Sequence, residues 1–261
     1  MPTSLISFIK NLIQKTHVLS CDQSHARVTD ALQCSDYETA IASLMPLARQ
    51  GDLHAQTLLG MIYKDRSGLA EDHLQAISWL ESAANSGYAL AQLNLGLMYY
   101  DGLGVHQEYF VAKEWIFKAA AQGLVSAQVR LAQMYLDGEG VRANHHQAMS
   151  WFARAAEEGS AEAQFMLGEA YASGNGVPLD FIKAVELLRQ SARQGHADAQ
   201  NSLGGLYYSG QGVSRSEKEA RHWWRAAAEQ GNEMAARNLE LLNMPEQKPD
   251  DDGTPHIAYI K

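Results

Sequence analysis

The side chains best suited to chemistry in this sequence are ten histidines, two cysteines and the run Ser7-Phe8-Ile9-Lys10. Each points to a reaction class. A zinc site would use a pattern such as His-Glu-x-x-His or Cys-x-x-Cys, and neither occurs. His145-His146 is the one adjacent pair, and at the expected start of a helix it reads as two solvated rings. Ser-x-x-Lys is the nucleophile spacing of penicillin-recognising enzymes, but a chain with this many Ser and Lys meets it by chance. A weak hydrolase-like enzyme is the reading it leaves open. Cys21 and Cys34 are too few for a disulfide framework, so the expected state is two reduced thiols, with a single bridge as the alternative. Four Gly-x-Gly turns invite a phosphate, yet no strand precedes any of them, as a phosphate-binding fingerprint requires. The sequence therefore predicts no catalytic residue, no metal and no cofactor.

Whatever surface the chain uses must be carried by the repeat that organises most of it. A glycine recurs at Gly51, Gly87, Gly123, Gly159, Gly195 and Gly231, every interval being 36 residues. Four residues after the first five come Ala55-Gln56, Ala91-Gln92, Ala127-Gln128, Ala163-Gln164 and Ala199-Gln200. Leucine follows at Leu59, Leu95, Leu131, Leu167, Leu203 and Leu239, then a small residue, then Tyr63, Tyr99, Tyr135, Tyr171 and Tyr207. The second half carries Ala76, Ala112, Ala148, Ala184 and Ala220, each three residues before Trp79, Trp115, Trp151, Leu187 and Trp223. These spacings place each set on one face of a helix. Two helices of roughly 12–14 residues with short loops fill a unit.

Punctuation agrees. Gly102, Gly138, Gly174 and Gly210 follow the tyrosine helix and suit a left-handed C-cap; each opens a Gly-x-Gly-Val turn, which the first unit replaces by Arg66-Ser67-Gly68-Leu69. Asp72, Asn144, Asp180 and Ser216 stand where a cap should open the second helix, with Glu108 a poor match. Tyr and Trp are expected to fill the gap between layers whose backbones Ala and Gly let approach. One helix pair cannot bury its own apolar face, so neighbouring pairs must stack.

The Ala-Gln, Leu-Gly, Tyr, Gly-x-Gly-Val, Ala, Trp, Ala-Ala, Gly pattern resembles that of the Sel1-like repeat family, relatives of tetratricopeptide repeats, over residues 36–242. The resemblance implies an all-α fold: a right-handed superhelical α/α solenoid of about 5.5 tandem 36-residue helix-turn-helix repeats. It also implies that the first helix of each pair, helix A, lines a concave groove that binds another protein. Cysteine-rich relatives associated with β-lactams carry repeated cysteine pairs that are absent here.

By likeness to tetratricopeptide grooves, the exposed helix A positions lie 3, 6, 10 and 13 residues after each repeat glycine. The first repeat presents His54, Thr57, Met61 and Lys64. The expected partner contacts come from the later repeats: Leu90, Leu93, Leu97 and Tyr100; Val129, Gln133 and Leu136, beside Ser126; Glu162, Phe165 and Glu169, beside Ala172; and Asp198 and Tyr208, beside Asn201 and Gly205. Four apolar residues at solvent-facing positions demand a cover, and the three acids lie further along. The expected guest is thus a peptide or helix with apolar anchors near Lys or Arg. Two other readings stay open: curvature buries these leucines between repeats, or the N-terminal segment fills the groove.

Three segments follow. Residues 1–35 form an N-terminal helical cap segment, residues 36–243 the solenoid, and residues 244–261 a disordered polar tail. Within the first, Leu5, Phe8, Ile9, Leu12 and Ile13 mark an amphipathic helix over 3–19, read as a cap, a docking helix or a degenerate targeting segment. Its polar interruptions are too frequent for a secretory core. A formal net charge of −9 disfavours nucleic acid, and no apolar run is long enough to span a membrane. The expectation is a monomeric, cytoplasmic, non-enzymatic scaffold or adaptor. A secreted or periplasmic host-interaction or toxin-neutralising protein is the alternative.

Overall fold

Residues 22–66 and 70–243 are described by the computed structural model, and thirteen α-helices and no strand lie among them. In chain order these are α1 (Asp22–Gln33), α2 (Tyr37–Arg49), α3 (Leu53–Arg66), α4 (Ala70–Asn85), α5 (Ala89–Asp101), α6 (Tyr109–Ala121) and α7 (Val125–Asp137). There follow α8 (His145–Glu157), α9 (Ala161–Ser173), α10 (Phe181–Arg193), α11 (Ala197–Ser209), α12 (Glu217–Glu229) and α13 (Glu233–Asn243). Odd-numbered helices from α3 are the A helices, and even-numbered ones from α4 the B helices. The chain divides into two compact units, Met1–Ala155 and Ala156–Lys261. The amphipathic reading of 3–19, Cys21, the 67–69 turn and the 244–261 tail lie outside the described residues. Cys34 is exposed and free.

Helix starts follow local hydrogen-bond chemistry. Asp36 accepts from the Thr39 amide to open α2. Asp180 accepts from Ile182 and Lys183 to open α10, and Ser216 from Glu219 to open α12. Asn144 does the same for Gln147, whereas Glu108 makes no side-chain cap bond before α6. Asp72 corrects the cap expectation: α4 already begins at Ala70, so this carboxylate lies in the first helical turn, where it favours the helix dipole. Helices α5, α7, α9 and α11 stop at Gly102, Gly138, Gly174 and Gly210, whose φ values of 70° to 75° lie in the left-handed region. The second turn glycine has a different reason. A Cβ on Gly140 would stand 2.2 Å from the Tyr109 carbonyl oxygen, and one on Gly212 equally close to that of Phe181.

Within a repeat the two helices meet through one large residue and one small one. Gly60 faces Leu80, Gly96 faces Ile116, Gly168 faces Leu188 and Gly204 faces Trp224. Leu80, Ile116, Phe152, Leu188 and Trp224 occupy the same repeat position and are all essentially inaccessible. This shifts the expected core by one residue. The recurrent Trp79, Trp115 and Trp223 are only half-buried, though Trp151 is covered. Their rings brace the flank instead, and take a cation where one is near: Lys118 sits 3.8 Å over Trp115 and Arg154 4.5 Å over Trp151.

The Ala-Gln pair has a structural reason of its own. Gln56, Gln92, Gln164 and Gln200 are buried and donate through Nε2 to the carbonyls of Ala48, Ala84, Ala156 and Ala192. Each bond ties an A helix to the end of the preceding B-type helix.

Candidate functional site

The positions expected to meet a partner lie on the A helices α3, α5, α7, α9 and α11. In the first unit, α5 buries Leu90 (7% exposed) and Leu93 (6%), while Leu97 and Tyr100 are half-buried. The sequence reading of four solvent-facing apolar residues is corrected here: Leu90 and Leu93 are already covered within the chain. Thr57 and Met61 on α3 are covered too. Tyr100 is fully engaged: its hydroxyl donates to Glu139, the Arg130 guanidinium lies 3.8 Å above its ring, and Tyr109 packs edge-on at 5.0 Å. On α7, Val129, Gln133 and Leu136 are half-buried, with Gln133 Nε2 held by Asp137.

The second unit presents a different surface. Phe165 on α9 is half-buried and stacks on His196 at 4.7 Å with 24° between planes. His196 is fixed in turn, since its Nδ1 accepts from the Ala199 amide and caps α11. Glu162 and Asp198 are exposed at the first turns of α9 and α11, where a carboxylate favours the dipole. Asp198 accepts from Asn232 Nδ2 at 2.8 Å. Glu169, one helical turn beyond Phe165, is mostly covered. Burial pushes its carboxyl above the ordinary carboxylate range; a Ser202 hydrogen bond pulls it back, and the Asp198 charge pushes it up again. Tyr208 lies near Trp224 at 5.6 Å, with Arg215 over its ring.

So the structure brings Phe165, Glu169 and Asp198 into one neighbourhood on α9 and α11 and adds His196 and Ser202, which sequence reasoning passed over. His196 immediately precedes an A helix, at the place Ser160 fills one repeat earlier, and that equivalence was the available signal. Ser202 sits beside a framework leucine and carries no motif. His145 and His146 are exposed at the start of α8. Among the described residues no group of three His, Cys, Asp or Glu is placed to hold a metal ion, and no helix is long and apolar enough to cross a membrane. Ser7 and Lys10 lie outside the described residues.

Consecutive stretches 53–88, 89–124, 125–160, 161–196 and 197–232 each match the Sel1 repeat model. The chain belongs to the Sel1 repeat family. Two solved structures are similar to this Sel1 repeat protein. A protective antigen of uropathogenic Escherichia coli strains is 31% identical over 90% of this chain, with a TM-score of 0.78, and this chain spans 51% of that one. A Sel1 repeat protein from Oxalobacter formigenes is 29% identical, covering 84% of this chain and 90% of its own, with a TM-score of 0.71. No curated protein matches the sequence. Sel1 repeat proteins serve generally as protein–protein interaction scaffolds.

Proposed function

We propose that this Sel1 repeat protein is a non-enzymatic adaptor that holds a segment of another polypeptide on the groove positions of its A helices. The guest carries apolar anchors with Lys or Arg close by. In the second unit Phe165 and Tyr208 supply apolar contact, and Glu162, Glu169 and Asp198 supply negative charge. In the first unit the positions left to a guest are Leu97, Val129, Gln133 and Leu136, Leu90 and Leu93 being already covered and Tyr100 already engaged.

The observation that carries this reading is Glu169. A carboxylate that burial and a neighbouring acid both disfavour is a poor choice for packing. A cation from a guest would relieve that cost, and the half-buried Phe165 one turn away would add apolar contact. A carboxylate perturbed by desolvation together with a neighbouring charge is a candidate for a binding role.

Peptide display against the full chain tests it. The expected winners contain two apolar residues flanked by Lys or Arg, and Phe165→Asp weakens them about tenfold or more. Enrichment of acidic peptides, or of none that Phe165→Asp affects, would overturn the proposal.

A further inference from the structure

Gly205 is the one glycine inside a described helix that packing does not require. Gly60, Gly96, Gly168 and Gly204 let a B helix approach: a Cβ on any of them would stand between 2.5 and 2.8 Å from the side chain opposite. At Gly205 a Cβ meets nothing within 4 Å among the described residues, and solvent reaches the position. Its backbone is ordinary helix, without a left-handed φ. The bond that its carbonyl accepts from Ser209 Oγ recurs between Ser173 and Glu169 one repeat earlier, so that bond needs no glycine. Yet glycine in a helix interior weakens the helix relative to alanine. The same repeat position holds Met61, Leu97, Gln133, Glu169 and Leu241, each with a long side chain.

The missing side chain leaves a gap with two unlike walls. Asn201 and Ser202 lie one turn before Gly205 on the same face of α11, and Tyr208 one turn after. Asn201 Oδ1 accepts from Asn238 Nδ2 of α13 at 3.0 Å, and Ser202 hydrogen-bonds to Glu169 of α9. That face of α11 therefore lies between α9 and α13. On the α9 side stands the Glu169 carboxylate, with the like charge of Asp198 acting on it. On the α13 side Leu241 is 50% exposed. We infer that this gap receives a Lys or Arg of the guest, its aliphatic stem crossing α11 over Gly205 beside Leu241 and its charged head ending at Glu169. Long cationic side chains bury their stems along apolar surface and keep the head among polar groups. An apolar side chain in the same place would strip more water from Glu169 and give it no partner. An acidic one would meet two like charges. The inference rests on the proposed guest binding and narrows it: Gly205 sets where the basic residue sits, and Phe165 is left to the apolar anchor.

A double-mutant cycle on the full chain tests it. One peptide selected by display on wild type is titrated into wild type, Gly205→Ala, Gly205→Leu and Phe165→Asp, together with versions of the peptide in which each Lys, Arg and apolar residue is replaced by Ala in turn. Gly205→Leu is expected to weaken the parent peptide about tenfold or more, and Gly205→Ala to weaken it less, while both variants melt no lower than wild type. One basic position of the peptide is expected to cost about tenfold on wild type and nothing further on Gly205→Leu, because the two changes remove the same contact. Wild-type affinity for Gly205→Leu, with Phe165→Asp still weakening the peptide, overturns this inference and leaves the guest-binding reading standing. A Gly205→Leu loss that couples to an apolar position of the peptide also overturns it. Should Gly205→Leu melt below wild type, the same cycle with Gly205→Ala decides, and unchanged affinity there overturns it. Selection of no peptide, or only of peptides that Phe165→Asp leaves unaffected, overturns both readings.

Discussion

Gln122 Nε2 donates to Gln92 Oε1 at 2.7 Å, and thirty residues separate the two. The same bond recurs between Gln194 and Gln164 and between Gln230 and Gln200, each at 2.8 Å. The end of a B helix is thereby tied to the A helix before it, while that A-helix glutamine spends its own amide on the preceding Ala carbonyl. In the first repeat Ser86 stands where the donor should be, and Gln56 Oε1 has no partner.

Ser86→Gln supplies the missing donor. It should stabilise the chain by about 1 kcal/mol, the net worth of a neutral hydrogen bond to a buried acceptor. Gln122→Ala removes an existing donor and should cost about as much. Urea unfolding of the full-length variants reads both, and the two shifts must have opposite signs.

Gly204 and Gly205 are adjacent in α11 and should respond oppositely to alanine. A Cβ at 204 would stand 2.5 Å from Trp224 Nε1, and that indole is fixed by its bond to the Asn201 carbonyl. Gly204→Ala should destabilise by about 1–3 kcal/mol through overpacking. A Cβ at 205 meets nothing within 4 Å, so Gly205→Ala should stabilise by about 0.5–1 kcal/mol by restricting the unfolded chain. Thermal melts of the pair check the sign.

Helix capping offers a third matched pair. Asp180 caps α10 with two amides, and Asp180→Ala should cost about 1 kcal/mol. Glu108 holds the extended backbone of a cap but makes no side-chain bond, so Glu108→Asp should gain up to about 1 kcal/mol. Denaturant midpoints measure both.

Fold was readable because its signals are local and repeated. Glycine stops, Asp36, Asn144, Asp180 and Ser216 caps, and the 36-residue register each follow from a few neighbouring residues. The exact core residue was not so readable. Trp79 and Leu80 are both apolar and adjacent, and only the close approach of Gly60 selects Leu80 as the buried one. Leu90 and Leu93 show the same limit. Their helix A positions were legible, but what lies against them depends on packing between segments far apart in sequence. Glu169 and Asp198 were legible as acids on the right face. The burial that disfavours the Glu169 charge, and the stacking of Phe165 on His196, needed the packed structure.

Glu169 should make stability depend on pH. Its folded-state value lies above the 4.5 of an ordinary glutamate, so the folded chain binds more protons than the unfolded one between those values. Stability contributed at this site therefore falls as pH rises from about 4.5 through the raised value. Glu169→Gln should be indistinguishable from wild type below pH about 4 and more stable at neutral pH. Urea titrations across that range test it; an unchanged difference between acid and neutral pH would go against the assignment.

On the proposed reading, the α9 and α11 surface recognises a polypeptide by charge and apolar contact together. Its most direct test is calorimetric titration of one displayed basic-apolar peptide into full-length wild type, Glu169→Gln and Glu169→Lys at neutral pH. Binding should be tightest to wild type, weaker to Gln, and about 100-fold or more weaker to Lys, where attraction becomes repulsion. Equal affinity for all three folded proteins would contradict it.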